Sequence, residues 1–103
     1  MNAVLKIDIE GAECDAIIGS PQVLGKSKEM YVPLVIMEWV FADPDINCSP
    51  ERVQEMTDVL YERGYRAFTE DRLKTLDMKD SYAWPQMRTV DFIHVDAKFF
   101  PKV

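Results

Sequence analysis

The chain has 103 residues, 48% of them apolar and 11% aromatic, enough for one small globular core. Its net charge of −6 argues against a nucleic-acid surface, which needs clustered Lys and Arg. The longest apolar run, 32–42, is interrupted by Pro33 and Glu38 and is too short to span a bilayer.

No basic-then-apolar leader opens the sequence, so no signal peptide is expected. The two cysteines, Cys14 and Cys48, lack metal-ligand spacing and read as a reduced intracellular pair. A cytoplasmic location is the corresponding expectation.

The first element is an apolar, β-branched run, Val4 to Ile9, expected as a strand buried on both faces. Its end is acidic and turns at Gly11. A helix is expected over 12–18, with Cys14, Ile17 and Ile18 on one face and Gly19 as its stop. Ser20-Pro21 starts a further short turn, and 25–31 reads as a polar loop. Leu34 to Phe41 is the second strand. Together these elements form a βαβ unit, whose right-handed crossover implies parallel strands. Ser49-Pro50 then caps the strongest helix, Glu51 to Arg63, with Val53, Met56, Val59 and Leu60 as its apolar stripe and Gly64 as its C′ residue. Tyr65 to Thr69 is the third strand and Val90 to Val95 the fourth, an antiparallel pair at a sheet edge. The stretch between them, 70–89, is polar and mixed, with a short helix expected near 71–76; a link of that length is often functional.

The acids are the candidate site. Asp8 and Glu10 lie two apart at the end of a strand, on one side of it. Glu13 follows one helical turn later, and Glu38 belongs to the adjacent strand. Ligands in open α/β sheets bind at the carboxyl ends of parallel strands. Four acids there suit cation binding, acceptance of a substrate hydroxyl, or a general base. The alternative is that Glu10 and Glu13 cap a helix and Glu38 faces solvent. Lys6, inside an apolar strand, calls either for a buried partner, Asp8 or Glu38, or for a route to solvent along the sheet edge. His94 reads as a structural residue. Trp39, Tyr82 and Trp84 are candidates for a pocket lining or for core.

The segment Leu5-Lys6-Ile7-Asp8-Ile9-Glu10-Gly11-Ala12-Glu13 closely resembles the signature of the FkbM family of S-adenosylmethionine-dependent methyltransferases, I-K-I-D-V-E-G-x-E at that family's fourth strand. The strand ending in Glu38, the helix closing on Gly64-Tyr65 and the strand Val90-Asp91-Phe92-Ile93-His94-Val95 fit the family in order. The resemblance implies an α/β fold: the C-terminal half of a class I, Rossmann-like methyltransferase sheet, with parallel strands and a terminal antiparallel pair. In such sheets the order is 3-2-1-4-5-7-6, and the four strands here look like 4, 5, 6 and 7. Residues 1–103 then form a single partial domain that lacks the cofactor-binding loops of the first strands. The implied activity of the complete protein is O-methylation of a small-molecule or sugar hydroxyl, with S-adenosylmethionine as cofactor. Asp8 and Glu10 are the expected catalytic residues, and Glu13, Glu38 and Trp39 the substrate-binding ones. No metal is implied. The expected partner is a small-molecule methyl acceptor, with self-association possible through the Val4–Ile9 strand. A non-catalytic α/β interaction or cation-binding module is the alternative.

Overall fold

The computed structural model describes residues 2–7, 18–19, 25–26, 31–39, 48–84 and 87–101. Among the described residues five strands form one sheet: β1 (Asn2–Ile7), β2 (Gly25–Lys26), β3 (Tyr31–Trp39), β4 (Tyr65–Thr69) and β5 (Met87–His94). The order is β1-β3-β5-β4, with β2 added to the start of β3. The β1–β3 pair is parallel, whereas β5 runs antiparallel to both β3 and β4.

The second strand starts three residues earlier than the apolar run suggests, and so includes Pro33. Proline brings no N–H to a ladder. The parallel register slips at that point, from Asn2 beside Tyr31 to Val4 beside Leu34. The expected antiparallel pair of late strands is present at the edge of the sheet, with β4 outermost and β5 between it and β3.

Helix α1 (Pro50–Glu62) follows its sequence signals closely. The Ser49 hydroxyl accepts from the Arg52 N–H at 3.2 Å, and Pro50 occupies the first turn, where no intrahelical N–H is needed. Val53, Met56, Thr57 and Leu60 recur at helical spacing and are all buried. They pack on Val35, Met37, Trp39, Tyr65, Ala67, Val90 and Phe92 from one face of the sheet. Alternation in β3 sends Leu34 and Ile36 to the other face, where they meet Phe68, Ile93, Ala97 and Phe100.

The helix ends at Gly64, whose φ of +95° is the left-handed conformation that glycine adopts without a Cβ penalty. An added Cβ there would stand 2.7 Å from His94 Nε2. The His94 ring cannot easily retreat, because Nδ1 accepts from the Asp96 N–H at 3.2 Å and lies 3.0 Å from the Tyr31 hydroxyl. Gly64→Ala is therefore expected to cost about 2–4 kcal/mol, from backbone strain and overpacking together. Urea unfolding checks this, and an alanine variant as stable as the parent would contradict it.

The stretch after β4 is ordered rather than an open link, and no helix forms over 71–76. Thr69 N–H donates to Lys74 O, Leu76 N–H donates to Ala67 O, and Phe68 bridges Thr75, so the chain doubles back along the β4 edge. Asp71 shapes the turn by accepting from the Thr69 hydroxyl at 2.6 Å and from the Leu73 N–H at 3.0 Å. The same two donors, the hydroxyl first, hold the Asp71 carboxyl below its ordinary value of 3.8. Its contribution to the turn is therefore complete above that pH and fades as acid titrates the lowered group.

A 3-10 helix (Met78–Ala83), capped by Asp77, then docks on α1. Gln54 Oε1 accepts from the Ser81 N–H at 3.0 Å, Gln54 Nε2 donates to Met78 O at 2.8 Å, and the buried Thr57 and Ser81 hydroxyls are 2.7 Å apart. This network satisfies the polar groups that the docking buries.

Cys48 is disulfide-bonded, its partner lying outside the described residues. This corrects the expectation of a reduced pair. No helix among the described residues is long and apolar enough to cross a membrane.

Candidate functional site

Of the expected site residues, Asp8, Glu10 and Glu13 lie outside the described residues. The described β1–β3 register ends with Ile7 beside Met37, one residue before Asp8 and Glu38. Glu38 is exposed near the carboxyl end of β3. The β3–β5 register is irregular between Met37 and Trp39, opposite Glu38. Bulges of this kind re-aim a side chain or end a pairing.

Trp39 is not at a ligand surface. It is 1% exposed, with its ring centroid 4.7 Å from that of Trp84 and 6.2 Å from that of Phe92. Alternation along β3 explains this: Val35, Met37 and Trp39 share the face covered by α1 and the 3-10 helix, and a large ring there fills core.

Lys6 is exposed, and no ion pair joins it to Glu38. Of the two partners expected for Lys6, Glu38 is therefore not taken, and Asp8 lies outside the described residues. Of the two routes for this lysine, the solvent one is taken, because β1 ends the described strand order and its alternate side chains Val4 and Lys6 face outward.

Two residues of interest were not singled out from the sequence. Lys6 pairs with Ile36, Ile36 with Asp91 and Asp91 with Phe68, so these four form one cross-strand row on the face opposite α1. Asp91 is 5% exposed and accepts from Arg72 Nε at 2.9 Å. Arg72 has a φ of 61°, unusual for a residue with a side chain, and its guanidinium lies 5.3 Å from the Phe99 ring centroid. The arrangement clasps the 69–74 turn onto the sheet. One signal was legible: an aspartate inside Val90-Asp91-Phe92-Ile93 is a charge in an apolar strand and needs a partner. Its partner, 19 residues away in a turn, was not.

His94 belongs to a different end of the sheet. It is 6% exposed, and its ring meets Tyr31 and Tyr65 edge-on at 5.2 and 5.4 Å. Because Nδ1 accepts a backbone N–H, the ring proton is assigned to Nε2. Tyr31 opens β3, so this cluster sits at the amino end of the parallel pair, opposite Glu38. It reads as a structural anchor between strand ends.

Among the described residues, no group of three or more His, Cys, Asp or Glu side chains is placed to hold a metal ion. No family model matches the chain, and neither a curated protein nor a solved structure matches it.

Proposed function

We propose that these residues form the substrate-side half of an S-adenosylmethionine-dependent methyltransferase resembling the FkbM family, acting on a hydroxyl of a small molecule or sugar. The observation that carries this reading is the strand order. If β1, β3, β4 and β5 correspond to strands 4, 5, 6 and 7 of a class I sheet, the expected order is 4-5-7-6 with the seventh strand antiparallel. The sheet runs β1-β3-β5-β4, with β5 antiparallel to both neighbours. The Leu5–Glu13 segment supports the same reading at the level of sequence.

In this reading S-adenosylmethionine, held by strands outside these residues, supplies an electrophilic methyl group. The chain's own work is to align the acceptor oxygen and take its proton. Asp8 and Glu10 do this, and Glu13 and Glu38 border the acceptor. The test is calorimetric titration of the cofactor into the 103-residue chain and into a form extended upstream in its reading frame. Binding by the extended form alone is the expected result. Saturable binding by the chain alone would overturn the division into halves, and no binding by either would overturn the class.

The reading also places self-association at β1. Among the described residues no strand pairs with its outer edge, and Val4 is 60% exposed there. Only Lys6 blunts that edge, and free apolar edges template pairing with another chain. Sedimentation velocity is expected to show concentration-dependent association, relieved by Val4→Lys; a monomer at all concentrations would refute it.

A further inference from the structure

A cleft lies at the edge of the sheet opposite β1, and its construction is independent of the methyltransferase reading. The 74–76 segment pairs with the upper part of β4, and Asp77 then turns away into the 3-10 helix. The cleft, of about 360 Å³, opens below that point. From β1 it is separated by three strand spacings, about 14 Å.

The floor of the cleft is apolar: Ala67, Phe68, Leu76, Met78 and Phe100. Phe68, buried beneath, packs edge-to-face on Phe100 at 5.4 Å, so the partly exposed Phe100 ring is fixed in place. The charged groups stand around it, Asp58 on α1, Arg66 on β4, and Asp77 and Lys79 at the start of the 3-10 helix. Arg66 is anchored through one nitrogen of its guanidinium. Its Nη1 donates to Tyr65 O at 2.7 Å and to Tyr61 O at 3.4 Å, and its guanidinium lies 3.8 Å from the Tyr61 ring centroid.

The others keep capacity to spare. Asp58 uses Oδ1 to accept from Gln54, and Asp77 uses Oδ1 to accept from the Lys79 N–H. Their second oxygens and the Lys79 ammonium have no partner among the described residues. Standing exposed at the rim, the two carboxylates can accept from a cationic donor and the ammonium can donate to an anion. An apolar aromatic floor calls for a ring. The volume is at the lower end for small-molecule sites and suits one ring with a short polar head.

We propose that this cleft binds a small ring-bearing zwitterion, an aromatic α-amino acid or a close analogue. The ring lies on Leu76 and Phe100, the ammonium faces Asp58 and Asp77, and the carboxylate faces Lys79.

Equilibrium dialysis of isotope-labelled L-phenylalanine against the full chain tests this, because it reads binding whatever the association state of the protein. One saturable site is expected. Asp58→Asn and Lys79→Gln alter exposed side chains and should each weaken binding about tenfold, the scale of one charge-assisted hydrogen bond. Thr75→Trp, filling the mouth from an exposed position, should abolish it, and Glu51→Gln, outside the cleft, should leave it unchanged. Phenylacetate and phenethylamine each lack one of the charges and should compete about tenfold less well than unlabelled phenylalanine. Absence of saturable binding overturns the proposal. So does binding indifferent to Asp58→Asn and Lys79→Gln, or equal competition by all three compounds.

Discussion

Trp39→Ala is expected to remove about 3–5 kcal/mol of stability, the usual cost of truncating a buried aromatic side chain. Domains of this size have only about 5–15 kcal/mol in total, so the variant would be close to unfolding at ambient temperature. The reason is its place in the core. Trp39 is 1% exposed and contacts the rings of Trp84 and Phe92, so truncation leaves a cavity between β3, β5 and the end of the 3-10 helix. Trp84 is itself held by an N–H donated from Nε1 to Asp77 O at 2.9 Å, which limits how far it can collapse into the gap. Urea unfolding followed by far-ultraviolet circular dichroism measures the effect. A wild-type midpoint would return Trp39 to the substrate side and remove it from the core.

The second large effect is on turnover. In the complete methyltransferase proposed above, Asp8→Asn and Glu10→Gln are each expected to lower turnover by about 10²–10⁴-fold, the range for loss of a positioned acid–base group. The amide replacements keep the size of each side chain and remove its basicity, so folding should be little changed. Glu38→Gln tests the border of the same site; Glu38 is exposed and forms no ion pair with Lys6, so its loss should alter acceptor affinity more than stability. With a known acceptor, unchanged turnover in both the Asp8 and Glu10 variants would sink the assignment.

The clasp between Arg72 and Asp91 shows where reading the sequence reaches its limit. Asp91 was legible as a charge in an apolar strand, but nothing local to it names Arg72. The 69–84 stretch is similar. Its polar composition reads as loop, yet Asp71 folds it into a turn, Asp77 caps a helix, and Gln54 receives Ser81 from 27 residues away. Trp39 fails for another reason. Period-two alternation tells which residues share a face, but not which face a helix covers.

The sequence by itself determined the elements whose signals are local. Ser49-Pro50 and Gly64 bound α1 to within a residue, because capping and left-handed turns depend on side chains next to the backbone they satisfy. Tyr65–Thr69 follows as a strand for the same reason, set between a glycine turn and an Asx turn. Only the tertiary structure decided that Trp39 is core, that Lys6 faces solvent, and that Asp91 has Arg72 as its partner. Those outcomes depend on contacts between residues distant in the chain, whose free energy comes from burial and pairing across elements, and no short-range pattern encodes which distant partner wins.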